Sequence, residues 1–358
     1  MARSKRMFTI VLAIALVAIS ALAGCSQPAA STSAPAPAGS TAAPAAPASS
    51  APPAPKEYRL NVATATTGGA YYPIGNALAQ IWSKNIPGVR ASAQATAGTP
   101  QNIELLENKE CDVAIGQNGI AYYAYSGTGT YTGKAVPIIR GMLALYPNVM
   151  HIVAAKDANI KTVADFQGKR FVPGAVASAT EINSREMLAA FGLNYRPEEG
   201  ATNVTADYVG YNEAVDLMKD GHVQGTHIAG GIPTAAVMDV MSSGVGVLLS
   251  MGDAEIKEIC EKYPWYFPAT IPAGTYTNQP EEIKTVAVSN ILIVRDDMDE
   301  ELVYNLTKAV YDFHTDLVAG HGATKDTTLE QSMSGMIIPV HPGAKKYFAE
   351  KGITVPNN

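Results

Sequence analysis

Three observations predict an α/β fold for most of this chain. Short apolar runs alternate with segments of helical period, glycine-rich turns follow several of those runs, and about 300 residues remain after an N-terminal stretch that cannot build a core. That length suits two bodies with their own cores better than one small stapled domain. Because helices separate the successive strands, we expect mostly parallel sheets.

The first unit reads as a strand at 59–65, a turn at 66–72 that contains Gly68 and Gly69, and a helix at 73–84. A second strand at 89–95 runs through Thr96, Ala97 and Gly98 to Thr99 and Pro100, which read as an N-cap and a first helical position. Residues 112–116 are mostly apolar and read as a strand covered on both faces, ending at Gln117, Asn118 and Gly119. The pattern recurs after Pro147, with strands at 150–154, 169–173, 206–209 and 224–228 and helices at 181–191 and 212–219. Residues 245–251 read as a return strand, and 255–262, 286–294 and 301–313 as helix, strand and helix. The reading joins 56–147 with 252–358 in one body and assigns 148–251 to the other.

The N-terminal 55 residues have a different character. Arg3, Lys5 and Arg6 precede an uncharged apolar run at 7–22, the pattern of an export signal over 1–24. The run closes on Leu22-Ala23-Gly24-Cys25, which resembles the bacterial lipobox and makes Cys25 the candidate lipidation site. Ala, Pro, Ser and Thr fill 26–55 without a charge, so this stretch reads as a tether that reaches up to roughly 90 Å in extended polyproline-like geometry. The expected location is therefore extracytoplasmic, at a bacterial membrane held through the lipid.

The net charge is −6, and removing the signal makes the chain more acidic still, which argues against a nucleic-acid partner. Cys111 abuts a strand and Cys260 lies in a distant helical run, so a disulfide between them is the less favoured reading, and two isolated cysteines make no metal site. No phosphate-cradling loop, metal-binding helix or nucleophile elbow is present, so we expect no cofactor, no metal and no catalysis. The six histidines are dispersed. His314 and His321 would share a helical face only if Gly320 did not end the helix.

In open α/β sheets ligands settle at the carboxyl ends of strands, where helix N-termini present unpaired N–H groups. Thr67, Gly68, Gly69, Tyr71 and Tyr72 have that position, as do Thr96 and Asn102, and Gln117 and Asn118. Farther along, Ser178 and Thr180 precede a helix, and His227 leads into the Gly230-Gly231 loop. A tight turn with core tyrosines is the structural alternative for the first of these groups. The chemistry on offer is hydroxyls, amides and main-chain donors, which suits a small polar or anionic ligand.

At these loops the sequence resembles the TAXI family of solute receptors, the extracytoplasmic subunits of one branch of TRAP transporters. The resemblance rests on Thr67-Gly68-Gly69-Ala70-Tyr71-Tyr72-Pro73, Ala93-Gln94-Ala95-Thr96-Ala97-Gly98, Leu143-Ala144-Leu145-Tyr146-Pro147, Tyr263-Pro264-Trp265-Tyr266 and His341-Pro342-Gly343-Ala344. It implies a two-lobed clamshell of the periplasmic-binding-protein type (type II), with hinge strands crossing near Pro147 and Val245. It also implies a TRAP-type permease as partner and a small carboxylate as ligand, glutamate-like, dicarboxylate or 2-oxo acid. We expect the receptor to be a monomer. Three departures put an amino-acid ligand in question. Gln117-Asn118-Gly119 lacks the family's usual acidic residue, Val176-Ala177-Ser178-Ala179-Thr180 lacks its glycines, and His227 stands where an aromatic is usual. A receptor for an ABC importer or a sensor kinase would share this shape, and an exported hydrolase or isomerase is the alternative of another class.

Overall fold

The computed structural model describes residues 56–356. The expected signal, Cys25 and the tether lie outside the described residues, among which no helix is long and apolar enough to cross a membrane.

Strand β1 (Tyr58–Ala63) leads into α1 (Tyr71–Asn85), whose Ile74, Leu78, Ile81 and Trp82 form one buried stripe. Then follow β2 (Val89–Gln94), α2 (Thr99–Glu107), β3 (Val113–Gln117) and α3 (Asn118–Ser126). A long strand, β4 (Ile139–Ala155), precedes β5 (Arg170–Val172), α4 (Ala179–Ala189), β6 (Thr205–Ala206), α5 (Tyr211–Lys219) and β7 (Gly225–Gly230). Next are α6 (Ala235–Ser242), β8 (Gly246–Leu248), α7 (Asp253–Lys262), β9 (Phe267–Ile271) and a second long strand, β10 (Ile283–Arg295). Helices α8 (Glu300–Asp312), α9 (His314–Gly320) and α10 (Pro342–Glu350) finish the chain.

The α/β class holds, but the sheet is mixed rather than mostly parallel. All ten strands belong to one sheet with the path β2-β1-β3-β10-β4-β7-β5-β6, β8 pairing with β4 and β9 with β10. Pairs made by β1 with β2 and β3, and by β5 with β6 and β7, are parallel. Every pair involving β4 or β10 is antiparallel. These two strands are buried along nearly their whole length, so they run through the middle of the sheet. Two register shifts, at Asn290/Ile291 and Leu292/Ile293, bend β10 where it passes β4.

Of the two expected crossings, the one near Pro147 is there, in β4, and the one near Val245 is not. Pro147 lies inside β4 instead of before it, tolerated because β7 pairs with β4 only from Val149 onward, so no partner needs the missing N–H on that side. The segment near Val245 does not cross: β8 has three residues and pairs only with the end of β4. Its crossing role falls to β10, which bonds to β3 at one end and β9 at the other.

Three apolar clusters follow from this layout. One collects side chains from β1–β3, α1, α8, α10 and the first part of β4, up to Tyr146. The other two cover the two faces of the sheet around the rest of β4, from Val149 on. Ile256, Tyr266, Val286 and Val288, from the 252–358 stretch that the sequence joins to the first body, pack there too. Antiparallel pairing draws β9 and the start of β10 to that side. Helix α9 ends at Gly320, which separates His314 from His321 as the sequence suggested. Cys111 is buried and Cys260 half-buried, and they are not bonded to each other.

Candidate functional site

A cavity of about 40 Å³ lies where the two halves of the sheet meet. Its wall includes Gly69, Ala70 and Tyr71 at the start of α1, and Ala97, Gly98 and Thr99 at the start of α2. From the other half come Ser178, Ala179 and Thr180 at the start of α4, and Gly210 and Tyr211 at the start of α5. Four helix N-termini thus converge on one space. The first N–H groups of a helix have no carbonyl within it to meet, and the peptide dipoles sum to partial positive charge at that end. Only α4 carries a side-chain cap, with Ser178 Oγ accepting from Glu181 N–H at 3.1 Å; α1, α2 and α5 have none. No Asp, Glu, Lys, Arg or His lines the cavity.

The floor is polar and neutral. Gln117 at the end of β3 pairs across the sheet with Asn290 on β10, and Asn290 pairs with Tyr146 on β4. Asn148 stands two residues beyond Tyr146 and so shares its face. Among the described residues nine buried side-chain atoms lack a hydrogen-bond partner; two of them, Gln117 Oε1 and Asn148 Oδ1, belong to residues that line the cavity, and two more, Tyr146 OH and Asn290 Nδ2, to their neighbours on the same sheet face. The other oxygen in this group, Asn290 Oδ1, accepts from Tyr71 OH. Burial pushes the Tyr71, Tyr146 and Tyr211 hydroxyls above the usual phenol range, which keeps them protonated donors.

Tyr211 binds the far wall together. Its hydroxyl meets Thr180 Oγ1, donates to the Ala229 carbonyl at 2.9 Å and accepts from Ala229 N–H at 3.1 Å. The two halves touch over the cavity. Ala236 N–H donates to the Gly68 carbonyl at 3.3 Å, and a Cβ on Gly68 would stand 2.1 Å from Asn212 Oδ1. A side chain on Gly68 would push the Asn212 amide aside.

Of the residues singled out from sequence, Gly69, Tyr71, Gln117, Ser178 and Thr180 line the cavity. The others lie elsewhere. Thr67 is exposed, and Tyr72 lines an outer groove with Asn76 and Asp316. Asn102 is fully buried with its amide donating to the Thr64 and Ile115 carbonyls, at 2.6 and 2.8 Å, and its oxygen accepting from Thr96 Oγ1 at 2.7 Å. Asn102 and Thr96 thus hold the loop that aims α2. The Asn118 amide donates to Gly335. Gly230 and Gly231 face Thr234, Ala323 and Tyr146. Gly69 N–H closes its own turn onto Thr66 at 3.1 Å and is not free for a ligand. Gly119 has no Cβ because Trp265 fills that space, at 2.5 Å from where the Cβ would be.

His227 packs behind α4, with Nδ1 2.8 Å from Ser184 Oγ and Nε2 against Met150 Sδ. Burial lowers its pKa to about 3, so it is neutral. This serine-histidine pair is buried away from the cavity, and Ser184 Oγ donates to the Pro173 carbonyl, which is not the geometry of a nucleophile and its base. Sequence reading missed Asn148, Tyr211 and Gly210. Gly210 and Tyr211 open a helix and Asn148 lies inside β4, but only the three-dimensional register brings them to the same space as Gln117.

Fold and site together define an α/β protein with an interior cavity faced by helix N-termini and polar, uncharged side chains. The chain belongs to the NMT1-like family, which matches residues 62–352. Among solved structures it is similar to the alkanesulfonate-binding protein SsuA from Xanthomonas axonopodis pv. citri bound to MOPS, at 14% identity, covering 83% of this chain and 85% of that one with a TM-score of 0.41. The periplasmic aliphatic sulphonate binding protein SsuA from Escherichia coli matches at 14% identity over 81% and 78% of the two chains, with a TM-score of 0.41. The substrate binding protein of an amino acid ABC transporter matches at 10% identity over 76% and 99%, also with a TM-score of 0.41.

Proposed function

We propose that this chain is an extracytoplasmic receptor that closes around a small organic anion and presents it to a membrane importer, without chemical change to the solute. The observation that carries the reading is the convergence of four helix N-termini on one buried, uncharged cavity. An anion there takes main-chain N–H bonds from α1 and α2 on one side and from α4 and α5 on the other. Only the closed arrangement offers both sets, so ligand binding shifts the population toward closure. The two bodies divide between Tyr146 and Val149 on β4 and between Val288 and Ile291 on β10, where the apolar clusters change. Cys25 is the lipid anchor in this reading and 26–55 the tether, with the receptor working as a monomer.

An ABC importer is the partner type named for the amino acid receptor above, and a TRAP permease is the one the sequence motifs imply. Uptake by vesicles carrying the candidate permease separates them: an imposed Na⁺ gradient suffices for a TRAP system, whereas an ABC importer requires ATP. The receptor reading is tested by isothermal titration of the full-length protein with lactate and with lactamide, its uncharged counterpart. Binding of lactate at micromolar level with none of lactamide is expected; tighter binding of lactamide, or turnover of either, contradicts it.

A further inference from the structure

Resting on that reading, we infer that Gln117 and Asn148, with Tyr146 and Asn290 beside them, select a compact monoanion whose second polar group is an uncharged hydroxyl, a short hydroxy acid, over an amino acid or a dicarboxylate. The helix termini supply partial positive charge and main-chain donors to one end of the solute, and the opposite wall is the sheet face described above. There Gln117 Oε1 and Asn148 Oδ1 are acceptors without a donor, Asn290 Nδ2 is a donor without an acceptor, and Tyr146 OH can serve as either. Gln117 and Asn148 are 3% and 2% exposed and both line the cavity, so water outside the protein does not satisfy them.

An ammonium group needs a carboxylate opposite it, and no Asp or Glu lines the cavity. A second carboxylate needs a cation or a second set of main-chain donors, and this face offers neither Lys, Arg nor His. A hydroxyl, which both donates and accepts, fits a floor of amides and a phenol. Size agrees. A cavity of about 40 Å³ holds roughly three waters, so the solute is short and the walls part to admit it.

The test is a binding panel on the full-length protein by isothermal titration, using lactate, propionate, alanine and malonate. All four carry a carboxylate, and they differ in the second group. Lactate is expected to bind at least about tenfold tighter than propionate, because a site built to bond a hydroxyl rejects the analogue that lacks it, with alanine and malonate weaker still. In Gln117→Met and Asn148→Leu the lactate-to-propionate ratio is expected to fall toward one. If alanine or malonate binds best, or lactate and propionate bind equally to the unaltered protein, this inference fails while the anion-receptor reading stands. If none of the four binds, both fail together. Because the panel on the unaltered chain decides by itself, a variant that does not fold leaves the test intact.

Discussion

On the sheet face that carries the cavity-lining Gln117 and Asn148, four buried polar side chains each keep one atom unmatched, whereas a second buried polar cluster, around Glu186 on α4, leaves neither carboxylate oxygen alone. Glu186 Oε1 accepts from Tyr123 OH on α3 at 3.1 Å, and Oε2 accepts from Tyr266 OH, which in turn accepts from the Asn183 amide at 2.7 Å. Trp265 lies against Tyr123 in an edge-on arrangement, with ring centroids 4.8 Å apart. This cluster ties the β1–β3 half of the molecule to the β5–β7 half through a carboxylate with both oxygens matched, although Asn183 Oδ1 and Trp265 Nε1 beside it have no partner. The floor is built from similar side chains and is left incomplete. The paired carboxylate fastens elements to one another, whereas the unmatched Gln117 and Asn148 line the cavity.

The comparison breaks most visibly at Glu186. Replacing it by Leu leaves the Tyr123 and Tyr266 hydroxyls unmatched, and we expect a loss of about 3 kcal/mol in stability by chemical denaturation. No loss would mean that the cluster is not the fastening it is taken for. At the floor the sign reverses: Asn148→Leu removes an unmatched acceptor and is expected to raise stability by about 1 kcal/mol while weakening lactate binding. A destabilised variant would show that the amide has a partner after all.

Two further predictions sharpen the contrast. Burial raises the Glu186 pKa from 4.5 to about 7, against the lowering effect of the tyrosine hydrogen bonds. The folded state therefore holds the proton more tightly than the unfolded state, and this group's contribution is present below about pH 4.5 and lost as pH rises through about 7. In Glu186→Gln that fall disappears, so the variant gains on the parent by up to about 3 kcal/mol between pH 4.5 and 8. His151 and His227 work the other way. Burial lowers them to about 4 and 3, so their contribution is lost as pH falls below 6.5, and the substitution does not alter it. Melting curves across pH for parent and variant check both signs. The smallest effect on stability is expected at Gly68→Leu, which crowds Asn212 and hinders closure; lactate affinity is expected to drop about tenfold with Tm nearly unchanged.

Much of the fold was legible because it is local. The alternation of strand and helix, the turn at Gly68-Gly69, the loop that ends at Thr99 and the hydroxyls before α4 all follow from neighbouring residues. Gln117 was legible as the end of an apolar strand. The rest depends on pairing between distant segments. Nothing near Asn148 or Asn290 in sequence says that β10 inserts between β3 and β4, and this insertion is what puts their amides on the same face as Gln117. The same non-locality hid the crossing role of β10 and the packing of Ile256, Tyr266, Val286 and Val288 beside the later part of β4. Asn102 and Thr96 sit at a strand end, but their polar atoms are spent on each other and on the Thr64 and Ile115 carbonyls of neighbouring segments.

The most direct test of the central claim observes the main-chain donors themselves. In amide-resolved NMR of the full-length protein titrated with lactate, the Tyr71, Thr99, Ala179 and Tyr211 N–H resonances are expected to move downfield together and to saturate at one ligand concentration. Saturable lactate binding that leaves these four amides unmoved would contradict the account.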